Sequence, residues 1–412
     1  MYMLSGRVDY LNRSDFLFLW HSVASFVRSG YGGCTRHIVG RLAKKGFRFV
    51  TTHYYGIDPG GVLVINGVPA LPAKTGSFGE LSVRHYVNTL KPNVAVLMTD
   101  PWAFSWFPSL PCLTMSYGPW DHILYPENLQ QLMRQYDYRV APAKFTVEEW
   151  AKYDPPVHFD WIPHGVETSV YKPMDKAEAK RFYKIDPDSF VIGMVGANSD
   201  KEPRKNWTGM FKGIRMFLDN NPDVRDIKCV VYTNPKDQRG IDIELFLKKY
   251  ELSEISITQS PFLFETGIKD DEMCRLYNAF DVLLHASYRE GFALCLYESM
   301  SCGVPVIAHD FSAMREAVVE ENGTRHGWLA KTAVYVDTPI GATSAIPDVY
   351  SIEKCIEKAY FREKTRLRYA RNARKFALKF DWDKIVNEMW VPYLDRIIEE
   401  NEPKELSKRK LV

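Results

Sequence analysis

The segment from residue 281 to residue 308 constrains the fold of this 412-residue chain more than any other part. Residues 281–286 form a mostly apolar stretch typical of a buried parallel strand, and residues 303–308 form a second one. Between them lie a turn, in which Gly291 avoids a Cβ penalty, and an apolar helical stretch. Two such strands joined by a helix predict a βαβ unit, whose ligands bind at the carboxyl end of the first strand.

Two carboxylates, Glu290 and Glu298, frame the turn and the helix of this unit. The N–H groups of Phe292, Ala293 and Leu294 are expected to open the helix, where free N–H groups attract phosphate. Glu298 lies about two turns further on, where a carboxylate suits sugar hydroxyls better than a diphosphate. The pattern therefore predicts a site for a nucleotide diphosphate with a sugar at each end. The alternative is a pair of solvated surface acids.

Length and composition limit the number of domains, the class of partner and the cellular compartment that we expect. A chain of 412 residues is too long for one ordinary core, so we expect two domains. A formal net charge of +2 requires no nucleic-acid partner. The seven cysteines are scattered and include no Cys-x-x-Cys pair, which favours a reducing compartment over a disulfide scaffold. With no membrane-spanning run and no secretion signal in the sequence, we expect a cytoplasmic protein, with contact at a membrane surface as a further option.

The remaining chain alternates strand and helix patterns, which predicts mainly parallel sheets in two Rossmann-like halves. A glycine-rich turn at residues 29–33 precedes a helix pattern at about 35–45. A stretch rich in proline and glycine between residues 154 and 173 marks a boundary. The other predicted strands lie at residues 16–20, 47–52, 94–98, 113–116, 190–196, 227–232 and 255–258.

Several motifs resemble those of one enzyme family. Glu290-Gly-Phe-Ala-Leu, Tyr297-Glu-Ser-Met-Ser-Cys-Gly and Val304-Pro-Val-Ile together resemble the signature of retaining GT-B glycosyltransferases, particularly family 4. Residues 32–37, 162–168 and 190–206 resemble three further family segments in the expected order. The resemblance covers nearly the whole chain and is looser between about residues 55 and 150.

The resemblance implies an α/β fold of the GT-B type, with two Rossmann-like, doubly wound parallel-sheet domains facing a cleft. The N-terminal acceptor domain is expected at residues 1–170, completed by a C-terminal helix at 381–412 that crosses back to it. The C-terminal domain for the nucleotide-sugar donor is expected at residues 171–380.

The resemblance also assigns roles on the donor side. Glu298 is expected to bind the ribose hydroxyls and Glu290 to contact the transferred sugar. Gly291 and the amides of Phe292, Ala293 and Leu294 are expected to meet the diphosphate.

Lys205 matches the lysine of the family's basic pair and is expected to stabilise the leaving group. The arginine of that pair is missing, because Gly196 is followed by Ala197 and Asn198. Arg204 or Lys201 is the expected replacement, and a solvated basic cluster is the alternative.

Three residues of the N-terminal half complete the predicted site. Gly32 and Gly33 are expected to let the backbone approach the phosphates or the reacting sugar. His122 is a candidate catalytic residue beside the transferred sugar, and the alternative is a solvated loop histidine. His37 is either a packed or capping histidine or a residue that lines the cleft. Nothing in the sequence distinguishes His285 from a satisfied core or loop histidine.

The resemblance implies a retaining glycosyltransferase that moves a sugar from a nucleotide diphosphate to a hydroxyl of a glycan, glycoprotein or lipid acceptor. No metal, cofactor or nucleic-acid partner is expected, and peripheral membrane contact is an option. A hydrolase with Glu290 and Glu298 as acid and nucleophile is disfavoured, because Glu298 would lie at the ribose. A sugar phosphorylase, a nucleotide-sugar epimerase or an inactive nucleotide-sugar-binding protein remain as alternatives.

Overall fold

The computed structural model describes residues 13–56, 61–73, 75–199 and 203–401. Lys201, one of the two predicted replacements for the missing arginine, lies outside the described residues. In these ranges, no helix is both long enough and apolar enough to span a membrane.

Strands and helices alternate along most of the chain. The strands are β1 Leu17–Val23, β2 Arg48–Tyr55, β3 Leu63–Ile65, β4 Val68–Pro72, β5 Val94–Leu97, β6 Leu113–Tyr117, β7 Tyr138–Ala141, β8 Asp160–Trp161, β9 Phe190–Val195, β10 Ile227–Tyr232, β11 Ser256–Thr258, β12 Val282–His285, β13 Val306–His309, β14 Gly327–Ala330, β15 Thr332–Asp337 and β16 Thr343–Pro347. The α-helices are α1 Gly30–Lys44, α2 Glu80–Leu90, α3 Glu127–Arg134, α4 Lys144–Trp150, α5 Lys176–Phe182, α6 Trp207–Asn220, α7 Ile243–Lys249, α8 Pro261–Thr266, α9 Asp270–Asn278, α10 Leu294–Ser301, α11 Ala313–Val318, α12 Val349–Phe361, α13 Glu363–Ala377, α14 Trp382–Ile385 and α15 Val391–Glu400. A π-helical turn, Val386–Trp390, joins the last two helices.

The chain folds into two compact units. Among the described residues, unit 1 contains 13–118, 132–140 and 383–401, and unit 2 contains 119–131 and 141–382. The predicted domain boundaries differ from these units, since residues 119–131, 141–170 and 381–382, predicted in the N-terminal domain, group with unit 2. Two contacts show why: Ile123 pairs with Thr343, and the Glu316 carboxylate accepts the N–H groups of Lys144 and Phe145.

Unit 2 contains a parallel sheet in the order β11-β10-β9-β12-β13-β14. Its central strands β9, β12 and β13 are buried on both faces, which explains their mostly apolar sequences. In β12, Val282 and Leu284 belong to one hydrophobic cluster while Leu283 belongs to another. Alternate side chains of one strand therefore pack into cores on opposite faces of the sheet.

Two buried features hold β9 beside the segment that enters β12. A Cβ at Gly193 would lie 2.1 Å from the Phe280 ring, so only glycine leaves room for that ring. The Asp281 carboxylate accepts the Val191 N–H at 2.9 Å and pairs with Lys180 at 2.9 Å. These contacts fix the two strands whose loops build the candidate site.

Unit 1 contains strands in the order β3-β4-β2-β1-β5-β6-β7. β1 lies in the middle and pairs in parallel with β2 and β5. Trp390, near the end of the chain, is fully buried and packs edge-on against Trp20 of β1 and Tyr117 of β6. The final segment is therefore part of the core of unit 1.

Candidate active site

The candidate site lies at the point where the strand order of unit 2 reverses. The chain leaves β9 toward one side of the sheet and leaves β12 toward the other, so their carboxyl ends form the switch point where α/β sheets bind ligands. Arg204 and Lys205 follow β9, and Glu290 follows β12. The Asn206 side chain joins the two loops by donating a hydrogen bond to the Ala286 carbonyl at 2.9 Å.

Glu290 is the centre of a buried charged cluster. The residue is 6% exposed, and its carboxylate pairs with Lys205 Nζ at 2.6 Å, Arg204 Nη1 at 3.2 Å and His285 Nε2 at 2.9 Å. Burial alone would raise the pKa of Glu290, but Lys205 and Arg204 outweigh that effect and hold the pKa well below its usual range. The structure therefore brings three of the predicted residues together, with Glu290 ionised.

His285 is a site residue that sequence reasoning missed. Burial lowers the pKa of His285, but the Cys295 sulfur and the Glu290 carboxylate outweigh burial and raise it to about 9. Cys295 Sγ lies 3.4 Å from Nδ1, and Glu290 Oε1 lies 2.9 Å from Nε2. The available signal was its position as the last residue of β12, at the ligand-binding edge of a parallel sheet.

The loop after β9 shows what stands in place of the missing arginine. Asn198 is buried and donates to the carbonyls of Asn234 and Ile241 at 3.0 and 2.7 Å, so it holds the neighbouring loop. Arg204, in contrast, reaches Glu290. Of the two predicted replacements, the structure thus places Arg204 at the site.

Gly291 is required for a reason other than the one predicted. A Cβ at this position would lie 2.2 Å from Pro119 Cβ, so close approach rather than turn geometry demands glycine.

Helix α10 begins at Leu294, which is later than predicted, with Ala293 as a left-handed N-cap at φ 66°. Ala293 makes no side-chain hydrogen bond to the first turn, which leaves this helix start without a side-chain cap. Phe292 is buried and stacks on Tyr297 at 4.2 Å between ring centroids.

Glu298 occupies a different environment from Glu290. It lies in α10, is partly buried, and accepts a hydrogen bond of 2.7 Å from the Tyr277 hydroxyl. Burial raises the pKa of Glu298 to about 7, against the lowering effect of Tyr277. The two carboxylates therefore differ in charge state and in partners.

His122 lies in a loop of unit 2 that reaches the same cluster. Its Nδ1 is 2.7 Å from Asp121 Oδ1, and Asp121 in turn is 3.6 Å from Arg289 Nε, next to Glu290 in the chain. Burial would raise the pKa of Asp121, but His122, Arg289 and Arg204 together lower it. His122 is 5% exposed, and its Nε2 has no hydrogen-bond partner among the described residues. The alternative of a solvated loop histidine is therefore wrong.

Gly32 and Gly33 lie in unit 1, and the predicted glycine turn there is wrong. Both residues belong to the first turn of α1, which begins at Gly30 because the Ser29 hydroxyl caps it by accepting the Gly32 N–H. A Cβ at Gly32 would lie 2.3 Å from the Val27 carbonyl oxygen, so the backbone of the preceding loop lies close to this glycine.

Residues 203–338 match the family described as "Glycosyl transferases group 1". This segment contains Arg204, Lys205, Glu290 and Glu298, so the resemblance inferred from the sequence motifs is confirmed there.

The chain is also similar to curated proteins over part of its length. D-inositol 3-phosphate glycosyltransferase of Acidothermus cellulolyticus is 25% identical over 239 residues, which is 58% of this chain and 48% of that protein. The protein of the same name from Thermobispora bispora is 26% identical over 213 residues, 48% of this chain and 47% of that protein. The chain thus spans about half the length of these relatives.

Solved structures resemble nearly the whole chain. Sucrose-phosphate synthase from Thermosynechococcus elongatus gives a TM-score of 0.74 at 15% identity, covering 93% of this chain and 100% of that chain. Anabaena HepE in complex with UDP and glucose gives 0.68 at 13% identity, covering 92% and 99%. WaaG, a glycosyltransferase involved in lipopolysaccharide biosynthesis, gives 0.64 at 15% identity, covering 90% and 98%. The predicted GT-B fold class is confirmed.

Proposed function

Because residues 203–338 match the glycosyl transferases group 1 family, we propose that this chain is a retaining glycosyltransferase that uses a nucleotide diphosphate sugar. The observation that carries the proposal is the buried cluster of Glu290, Lys205 and Arg204 at the switch point of the sheet in unit 2. Two cationic side chains meet there beside a helix start without a side-chain cap, an arrangement suited to a diphosphate leaving group.

We assign the donor phosphates to Lys205, Arg204 and the backbone from Gly291 to Leu294. Glu290 holds the two cations in place. A bound diphosphate would compete for them, which leaves the Glu290 carboxylate to accept hydroxyls of the transferred sugar. No metal enters this scheme, and metal independence stays a prediction.

The two ends of the donor have separate partners in this proposal. Glu298 accepts the ribose hydroxyls, because one of its oxygens is already oriented by Tyr277. His122 lies beside the transferred sugar and uses its buried Nε2 to bind a sugar hydroxyl. Asp121 is the positioning residue that holds the His122 ring through Nδ1.

The proposed reaction is a front-face displacement. The bond between the anomeric carbon and the phosphate oxygen breaks, and the acceptor oxygen forms a bond to the same carbon on the same face. The departing phosphate oxygen takes the acceptor proton. The chain contributes by positioning the reactants and stabilising the negative charge that develops on the diphosphate.

The comparisons suggest the first substrates to test. One solved structure of the same fold is described as a complex with UDP and glucose, and the curated relatives are named for D-inositol 3-phosphate. UDP-glucose is therefore the first donor, with GDP-glucose and ADP-glucose beside it. D-inositol 3-phosphate is the first acceptor, followed by glycan, glycoprotein and lipid acceptors.

The test measures release of the nucleotide diphosphate and formation of the glycoside by mass spectrometry. We expect transfer by the natural chain, and its loss in Glu290→Gln and Lys205→Ala. Lys364→Ala removes an exposed lysine of α13 and should leave transfer unchanged. Product formation that requires phosphate, epimerisation without an acceptor, or donor binding without turnover would each contradict the proposal and favour one of the alternatives.

A further inference from the structure

A second candidate site lies in unit 1, among residues that the proposed reaction does not use. A cavity of about 550 Å³ is lined by one face of α1, by Asn66 in the turn between β3 and β4, and by residues from Asp383 to Asn387. Its volume lies within the range of small-molecule sites. Three separate segments of the chain therefore form its walls.

The hairpin turn approaches α1 closely at one position. Asn66 has a φ of 50° and directs its side chain toward Gly40. A Cβ at Gly40 would lie 3.4 Å from Asn66 Nδ2, which is van der Waals contact. A basic face on a solvent-exposed helix is common. Here Asn66 lies opposite α1, so the basic face forms one side of a concave cavity.

The charge of the cavity is strongly positive. Arg36, Arg41, Lys44 and Lys45 line it, and Asp383 is the carboxylate among the lining residues. Four cationic side chains against one carboxylate leave three positive charges, since the neighbouring histidine is neutral. Such a surplus favours a ligand with more than one negative charge.

One cation is neutralised inside the cavity. Arg41 Nε pairs with Asp383 at 2.7 Å, and Arg41 Nη1 donates to His37 Nδ1 at 2.8 Å. Burial, with Arg41 and Arg36, lowers the pKa of His37 to about 3, so the ring accepts this hydrogen bond in its neutral form. His37 therefore lines this cavity as a support for Arg41.

Lys44 and Lys45 supply the charge that an incoming ligand would meet. Both are exposed, and within the described ranges neither pairs with a carboxylate. Arg36 donates one N–H to the Ser25 carbonyl at 3.2 Å and has further donors. The Asn66 and Asn387 amides add neutral donors to the same walls.

We propose that this cavity binds a phosphate group, as a phosphate monoester or a pyrophosphate. Lys44, Lys45 and Arg36 provide charge-assisted hydrogen bonds to the phosphate oxygens. The phosphate belongs to a soluble molecule or to a lipid headgroup, since both present the same chemistry. The proposal is independent of the proposed reaction, because the two sites share no residue and lie in different units.

The test measures binding of pyrophosphate by calorimetry. Lys205→Ala is present in every sample, so that the phosphate site proposed in unit 2 is weakened. In this background, we expect Lys44→Ala/Lys45→Ala to weaken binding by about tenfold or more, because two charge-assisted contacts are lost. The matched control Lys212→Ala/Lys364→Ala removes two exposed lysines of unit 2 and should leave the Kd unchanged. Equal dissociation constants in the two double variants would overturn the proposal for a soluble phosphate.

A second experiment tests whether the phosphate belongs to a lipid headgroup. Phosphatidylcholine vesicles with and without phosphatidic acid are sedimented with the same chains. Binding that needs phosphatidic acid and is lost only in Lys44→Ala/Lys45→Ala assigns the site to a headgroup. If neither pyrophosphate nor these vesicles distinguish the two double variants, the proposal is wrong.

A measurement on the unmutated chain guards against misfolding of the variants. Acetic anhydride modifies accessible lysines, and mass spectrometry reports the modification of each peptide. Pyrophosphate should protect Lys44 and Lys45 and leave Lys212 and Lys364 unprotected. If pyrophosphate changes the modification of none of these four lysines, the proposal for a soluble phosphate is contradicted.

Discussion

The raised pKa of Glu298 predicts that donor binding depends on pH. Its pKa of about 7 means that the free site holds a neutral carboxyl group below pH 7, because burial disfavours the charge. Ribose hydroxyls donate hydrogen bonds and therefore favour the ionised form. Binding should lower the pKa and release a proton, so affinity should rise as the pH rises through 7.

The size of the effect follows from the two pKa values. If the bound ribose returns the carboxyl group to its ordinary pKa of 4.5, the bound form is ionised throughout the range from pH 6 to pH 8. The free form is about 90% protonated at pH 6 and about 10% protonated at pH 8. The Kd should therefore fall about tenfold between these values, or about 1.4 kcal/mol.

The assay is isothermal titration with UDP-glucose, in two buffers that differ in their heat of ionisation. UDP-glucose suits it because each of its two phosphates carries one ester and one anhydride bond and therefore lacks the second phosphate ionisation near pH 6. The proton release should be largest below pH 7 in the natural chain and absent in Glu298→Gln. Glu316, whose pKa burial also raises to about 7, gives the matched control, and Glu316→Gln should keep the full pH dependence. The ribose assignment would be refuted by a Kd that does not change with pH in the natural chain. It would also be refuted if Glu298→Gln kept the pH dependence of the natural chain.

Three further predictions concern single substitutions in unit 2. Lys205→Ala should lower kcat/KM about 100-fold or more in a steady-state transfer assay, because the leaving diphosphate loses a cation. An unchanged kcat/KM would show that Lys205 is not part of the site. Gly193→Ala should lower the free energy of unfolding by about 1–3 kcal/mol in urea titrations, because the new Cβ overlaps the Phe280 ring. Unchanged stability would show that the ring moves aside without cost. Lys180→Met should cost up to about 3 kcal/mol in the same assay, because the Asp281 carboxylate loses its buried partner. Stability equal to that of the natural chain would contradict this account.

The parallel sheet of unit 2 could be predicted because its central strands are buried on both faces. The mostly apolar stretches at residues 190–196 and 281–286 correspond to β9 and β12, since such strands carry mainly apolar side chains. β1 extends beyond its predicted end at residue 20 through two polar but buried residues. His21 is satisfied there by Thr52 at 2.8 Å and by the Phe78 carbonyl at 3.0 Å, partners that are distant in sequence.

The donor side of the site was accessible from motifs, whereas its supporting contacts were not. Glu290 and Lys205 stand in recognisable local patterns, and the structure brings them together. The contact of Gly291 with Pro119 and the ion pair of Arg289 with Asp121 join segments that are far apart in the chain. No local pattern reports such contacts, because they depend on how the loops pack.

The burial of Trp390 against Trp20 and Tyr117 has a consequence for the order in which a nascent chain can fold. Most of unit 2 is one continuous stretch, so it can become compact once residue 382 has left the ribosome. Unit 1 begins earlier in the sequence, yet it lacks a central core side chain until Trp390 has been synthesised. We therefore expect the N-terminal segment of unit 1 to stay partly folded until the C-terminal segment has been synthesised, and to depend during that interval on chaperones that shield exposed apolar surface.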